Sequence, residues 1–254
     1  MTSKQALLTL YKKKGETPLE CLERFRKENP EYEKEKMTYA GRLDPLAEGL
    51  LIALVGEECK NKEKYLGLDK EYEVDILFGF STDTYDVLGK VIGVSSTEDF
   101  SVQRVRDVIQ SSVGKFTQKY PAFSSKTIRG KSLFSLFKRG ELNDDEIPTK
   151  DVEIKSIEVL GERTIAKNDL LKNIQDSIMR VSGDFRQKEI SEIWKMELEK
   201  SPLQTFHIVS IKVDCTSGTY MRSLANTIGE KVGVPALAFG IKRIKLGTYS
   251  ILTE

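Results

Sequence analysis

The run Gly49-Leu50-Leu51-Ile52-Ala53-Leu54-Val55 constrains this chain more than any other stretch. It carries no polar side chain, so it reads as a strand covered on both faces, because a half-exposed strand would alternate apolar and polar residues. Such a strand needs one packed layer above it and another below. The chain must therefore build a sheet with structure on both sides. Its 254 residues, 39% of them hydrophobic, suffice for one large domain or two small ones.

Around that strand the pattern alternates between classes. Gln5 to Tyr11 reads as a short strand. Thr17-Pro18-Leu19-Glu20 resembles a capping box with proline at the first helical position, opening a helix that ends near Asn29-Pro30. Residues 37–45 read as a loop, and Glu57 to Leu66 as helical. From Lys70 to Phe78, Tyr72, Val74, Ile76 and Phe78 point one way and Glu71, Glu73 and Asp75 the other, the mark of a half-buried strand. Ser81 to Thr84 is a polar loop and Gly89 to Val94 a short strand. Val102, Val105, Val108 and Ile109 have helical spacing. A short strand and a helix (Ser132 to Lys138) follow around Pro121 and Gly130. Asp151 to Leu160 predicts a strand, and residues 168–200 two helices broken near Ser182-Gly183. The remaining elements are a strand over Thr205–Cys215, a helix over Gly218–Gly233 and a strand over Lys242–Leu252. Strands and helices mix without a βαβ rhythm, which points to an α+β fold with a mixed sheet.

Composition removes several function classes. No run of 18 apolar residues exists to span a membrane, and the N-terminus, MTSKQALLTLYKKKG, lacks the apolar core of a signal peptide. Cys21, Cys59 and Cys215 form no C-x-x-C pair, which argues for a reducing, cytoplasmic compartment and against a disulfide or zinc framework. His207 is the only histidine, so chemistry that needs two imidazoles is excluded. Walker A, G-x-G-x-x-G, H-E-x-x-H and nucleophile-elbow patterns are absent.

The net charge is only +1, but its distribution is uneven. Lys115, Lys119, Lys126, Arg129, Lys131, Lys138 and Arg139 lie in a stretch without acids, as do Lys231, Lys242, Arg243 and Lys245, while acids gather at 141–146. Segregated basic tracts suit a phosphate-binding face; an ordinary solvated surface is the plainer alternative.

Three places could hold chemistry. Asp44, in Gly41-Arg42-Leu43-Asp44-Pro45-Leu46-Ala47-Glu48-Gly49, stands in a rigid turn directly before the buried strand, where a firm scaffold can present a carboxylate to a cleft; a common Asp-Pro turn is the bland alternative. In Cys215-Thr216-Ser217-Gly218-Thr219-Tyr220-Met221-Arg222 a strand ends and a helix opens, offering free backbone N–H groups. Arg222 there could pair with Asp44 or simply lie on a helix surface. Tyr72 could stack on a base or pack in the core.

Taken in order, these segments resemble the TruB family of pseudouridine synthases. The family motif G-x-L-D-P-x-A-x-G is GRLDPLAEG at 41–49. K-x-Y followed by G-x-x-T-D-T-x-D-x-x-G is matched by Lys70-Glu71-Tyr72 and by Gly79 through Gly89. A third motif is carried by Gln118, Pro121, Ser124, Gly130, Arg139 and Gly140, a fourth by CTSGTYMRSL, and the last by Ile241-Lys242-Arg243 with Gly247 and Tyr249. The resemblance implies a pseudouridine synthase fold, a mixed and mostly antiparallel sheet flanked by helices. It implies one catalytic domain over 1–254, with a thumb-like RNA-gripping insertion at about 118–146. A further helical insertion at about 162–203 is expected either to pack on the core or to touch RNA. No counterpart of the family's C-terminal PUA-type domain is expected.

By the same resemblance, Asp44 attacks the uridine, Tyr72 stacks on the flipped base, and Arg222 holds Asp44 ionised. Tyr39, Arg42, Asp86, Lys126, Arg129, Lys131, Ile241, Lys242 and Arg243 form the substrate-binding set. Ile241 takes the place of the leucine on the pocket floor, and Tyr39 stands where the family usually has histidine. No cofactor and no metal are implied; the partner would be the T-arm stem-loop of tRNA and the chain a monomer. The expected activity is conversion of uridine to pseudouridine at position 55 of tRNA. The alternatives are a ribosomal RNA target or a tRNA-folding chaperone without catalysis.

Overall fold

The computed structural model describes residues 5–95 and 100–251, except the side chains of Lys138 and Asp144. Leu252, the expected end of the last strand, lies outside the described residues.

Strand β1 (Leu7–Lys12) is followed by helix α1 (Pro18–Glu28), which starts on the expected capping box: the Thr17 hydroxyl accepts from the Glu20 N–H while the Glu20 carboxylate accepts from the Thr17 N–H. Strands β2 (Met37–Ala40) and β3 (Ala47–Val55) flank the Asp44 turn. The expected helix from Glu57 is instead a 3-10 segment, Gly56–Asn61, continued as α2 (Lys62–Leu66). Next come β4 (Lys70–Phe78), the small hairpin β5 (Phe80–Thr82) and β6 (Val91–Val94), α3 (Val102–Ser111) and β7 (Gly114–Lys119). The segment expected to form a thumb-like insertion contains β8 (Thr127–Ile128), β9 (Lys131–Ser132) and α4 (Leu133–Lys138). β10 (Thr149–Ala166), α5 (Lys167–Met179), α6 (Gln187–Lys200), β11 (Thr205–Cys215), α7 (Met221–Val232), β12 (Ala236–Leu246) and β13 (Tyr249–Ser250) complete the chain.

One sheet runs β1-β3-β12-β4-β11-β10-β7, with β2 beside β3 and β13 beside β12. Only the β12–β3 pair is parallel; the other pairs within this sheet are antiparallel. Residues 50–55 of β3 are all buried, as an apolar run without alternation requires. On one face Val74, Ile76 and Phe78 pack against Val105 and Ile109 of α3 and Leu224 and Ile228 of α7. On the other, Leu77, Ile208 and Leu237 pack against Leu170, Ile174, Ile190 and Trp194 of α5 and α6. Helices α5 and α6 therefore cover a sheet face, and each of their fully buried aliphatic side chains contributes about 1.5–3 kcal/mol of transfer free energy. The buried Trp194 indole donates to the Val87 carbonyl at 3.1 Å, which ties α6 to the turn after β5.

Candidate active site

The Asp44 loop is fastened from beneath by two buried cations. Lys12, at the end of β1, is fully buried and its ammonium donates to the carbonyls of Lys13, Pro45 and Ala47. Burial lowers its pKa to about 8 against the pull of Glu16 and Asp44. Arg243, on β12, is also fully buried. Its Nε donates to Leu50 O at 2.8 Å, Nη2 to Gly41 O at 3.1 Å and Nη1 to Arg42 O at 3.4 Å. This departs from the expectation that Arg243 faces RNA, because the guanidinium is turned inward and each of its three nitrogens donates to a backbone carbonyl of the loop or of β3. Gly49 lies opposite Arg243 in the parallel register. At its φ of +107°, an added Cβ would stand 2.3 Å from the Arg243 carbonyl oxygen, so this close approach requires glycine.

On that base stands a bidentate ion pair. Arg222 Nε donates to Asp44 Oδ2 at 2.8 Å and Nη2 to Asp44 Oδ1 at 3.0 Å, a fork-to-fork geometry. The two partners differ in exposure: the Arg222 side chain is 3% exposed and that of Asp44 35%. The arginine is a buried fixture, and the carboxylate opens to the cleft. Arg222 does not lie on a helix surface; α7 begins at Met221, later than expected, and turns Arg222 under the sheet end. Its Nη1 donates to Thr84 O at 2.9 Å, Nη2 also reaches Phe123 O at 3.3 Å, and Asp86 Oδ2 lies 3.7 Å from Nε. Burial works against the Arg222 charge, but Asp44 and Asp86 more than offset it and its pKa is raised. Asp86 is 7% exposed and accepts from Thr84 Oγ1 at 2.6 Å and Leu88 N at 3.0 Å. Burial raises its pKa despite Arg222.

A cleft of about 240 Å³ opens beside Asp44 and is lined by Arg42, Lys70, Tyr72, Tyr220 and Ile241 among others. Tyr72 and Ile241 reach it from β4 and β12. Burial pushes the Tyr72 phenol up, with Arg243 opposing, so the hydroxyl keeps its proton near neutral pH. Tyr220 and Lys70 are wall residues that sequence reasoning quoted within motifs without singling out. The signal was the spacing: Tyr220 stands two residues before Arg222 and Lys70 two before Tyr72. Tyr220 packs edge-on against Tyr120 of the thumb region at 5.5 Å, and burial raises its pKa to about 12. The Tyr220 N–H, which was expected to be free for an anion, donates to Gln118 Oε1 at 2.8 Å.

The remaining expected contacts are scattered. A groove shared by Asp44, Arg42 and Tyr39 continues from the cleft toward the thumb; Tyr39 lies on β2 rather than in a loop, with Lys62 5.3 Å above its ring. Lys126 stacks over Tyr120 at 5.3 Å. Arg129 and Lys131 lie on the thumb, where the acidic run folds back onto them: Lys131 pairs with Glu141 at 2.8 Å and Arg129 approaches Glu146 at 3.8 Å. The charge segregation seen along the chain is thus partly cancelled in space. Lys242 lies 4.0 Å from Glu73, away from the cleft lining. Among the described residues no cluster of three His, Cys, Asp or Glu side chains is placed to hold a metal, and no helix is long and apolar enough to cross a membrane.

Comparison with solved structures bears on the fold. The chain superposes on a chain of a Cbf5-Nop10-Gar1 complex with a TM-score of 0.58 at 18% identity, covering 96% of this chain and 49% of the other. A chain of an H/ACA RNP bound to a substrate RNA containing 2'-deoxyuridine gives 0.54 at 17% identity, with 96% and 48% covered. Both likenesses show a shared fold. Residues 29–177 match the N-terminal domain of the TruB family pseudouridylate synthases, and the chain belongs to that family. A tRNA pseudouridine synthase B of Thermosipho melanesiensis is 31% identical over 245 residues, 96% of this chain and 64% of the relative. That of Ligilactobacillus salivarius is 30% identical over 246 residues, 96% and 68%. The chain thus spans about two thirds of the length of these relatives.

Proposed function

We propose that this chain isomerises uridine to pseudouridine in tRNA, with Asp44 as the nucleophile and the T-loop uridine at position 55 as the target. The observation that carries the reading is the bidentate Arg222–Asp44 pair at the mouth of a cleft walled by Tyr72 and Ile241. The reaction breaks the bond between uracil N1 and ribose C1′, turns the base and joins C5 to C1′. The C5 proton leaves and N1 gains one, so the atoms balance without a co-reactant. One positioned carboxylate can carry this by covalent catalysis. Arg222 fixes both of its oxygens, and Tyr72 supplies an aromatic face for the base. The target must leave its stack, at a cost of a few kcal/mol, and contacts from Arg42, Tyr39 and the thumb would offset that cost.

The relatives, tRNA pseudouridine synthases B by name, support tRNA over ribosomal RNA as substrate. The intact ion pair supports catalysis over a purely chaperoning role, which would not need a carboxylate held at both oxygens. The test is incubation with an unmodified tRNA transcript followed by pseudouridine mapping. Product at the T-loop uridine is expected. Product only at other positions would overturn the target, and no product at any uridine would overturn the enzymatic reading.

A further inference from the structure

The connection between α5 and α6 reaches the active site, and the side chain that arrives there is Arg186. Its guanidinium donates to both Asp83 oxygens, Nη1 to Oδ2 at 2.7 Å and Nη2 to Oδ1 at 3.3 Å. The same guanidinium stands 4.6 Å over the ring of Phe123, within cation–π range. Arg186 holds a left-handed backbone, with φ +63°, which is unusual for a residue with a side chain. The loop before it is braced: Gln187 donates to the carbonyls of Val181 and Gly183 and accepts from the Phe185 N–H, and Ser182 donates to Glu20 of α1. A long side chain is thus delivered from a fixed base to a fixed point.

Arg186 and Arg222 hold the same two segments and share Phe123. Arg222 donates to the carbonyls of Thr84 and Phe123; Arg186 grips the side chain of Asp83, one residue earlier, and the ring of the same Phe123. Asp83 also closes its own turn, where Oδ1 accepts from Lys90 N at 2.9 Å. Arg186, Phe185, Phe123, Asp86, Arg222 and Asp44 line one small cavity. Two arginines therefore clamp the same pair of segments, the 83–84 turn and the chain at Phe123, beside the carboxylate.

We propose that Arg186 is a positioning residue for the isomerisation: it pins Phe123 and the Asp83 turn so that Arg222 holds Asp44 in its productive orientation. The helical insertion would then serve catalysis as well as covering a sheet face. This rests on the proposed isomerase reading for its catalytic part. Its mechanical part, fixation of the thumb root, stands apart from it.

The test compares wild type, Arg186→Ala and Arg186→Lys in single-turnover kinetics on a tRNA transcript, with hydrogen exchange of the RNA-free proteins alongside. In Arg186→Ala the rate at saturating RNA falls about tenfold, a modest share of what misplacement of a catalytic group costs, while RNA affinity changes less than about twofold. Arg186→Lys keeps the Asp83 ion pair without the planar stack and recovers part of the rate. Exchange protection at residues 120–126 falls in Arg186→Ala, with α5 and α6 unchanged. An unchanged rate at saturating RNA, a loss confined to affinity, or unchanged protection at 120–126 would each overturn the proposal. If wild type makes no pseudouridine, the isomerase reading fails, and the exchange result still decides whether Arg186 fixes the thumb root.

Discussion

Beneath the Asp44 loop, Lys12 and Arg243 have no solvent exposure; on the thumb, the side chains of Arg129 and Lys131 are 78% and 49% exposed. The residue types are the same and the tasks are opposite. The buried pair gives its donors to backbone carbonyls, where no water competes and each loss leaves an unsatisfied acceptor. The exposed pair gives its charge to carboxylates close by in the same insertion, where solvent and salt screen it. A cation at the first place fixes geometry; a cation at the second is free to exchange partners, as a contact to a phosphate requires.

Substitutions can break or sharpen that contrast. Arg222→Met removes the donors that hold Asp44, and the rate on tRNA should fall about 10²–10³-fold, the range for loss of a preorganised donor. Because Arg222 is buried, Arg222→Lys serves as the second variant: with circular dichroism unchanged, it should still lose most of the rate, since an ammonium cannot form the fork. Arg243→Met should lower stability in urea by about 2–4 kcal/mol, through the carbonyls of Gly41, Arg42 and Leu50 left without a donor. A loss no larger than that of a thumb arginine would remove the distinction between the two regions.

Lys12 sharpens it through pH. Its folded pKa is lowered to about 8 from 10.5, so between these values the unfolded chain binds the extra proton and stability rises with pH. The cost of burying the charge is present below pH 8 and is relieved as pH rises toward 10.5. Lys12→Met should therefore flatten the stability curve by up to about 1.4 kcal/mol per pH unit in that window and leave it parallel to wild type below it. The smallest effects belong to the thumb: Lys131→Ala should shift stability by less than about 0.5 kcal/mol and reduce the salt slope of RNA binding by at most about one.

The sequence made the Asp44 turn, the β4 alternation and the α1 cap legible because each is a local pattern. The phase of β4 placed Tyr72 on the correct face before any contact was known. What escaped was set by pairing at a distance. Lys242-Arg243 reads as two surface charges, and only the register of β12 against Tyr72 and Gly49 turns Arg243 inward. The start of β12 at Ala236 was missed because small residues and Phe239-Gly240 hide its alternation. The hydrophobic pattern of β10 fades at Leu160, yet the strand continues to Ala166 with mostly exposed positions, which give no hydrophobic signal. The reach of Arg186 had no sequence sign at all, since its partners stand about a hundred and about sixty residues away.

The central claim is that the carboxylate held by Arg222 performs the chemistry. Its most direct measurement is pseudouridine formation in one unmodified tRNA transcript by wild type and by Asp44→Asn, which keeps the side-chain shape and removes the charge. The account predicts product at the T-loop uridine with wild type and none with Asp44→Asn, while both proteins bind the transcript. Product from Asp44→Asn at a rate near that of wild type would contradict it.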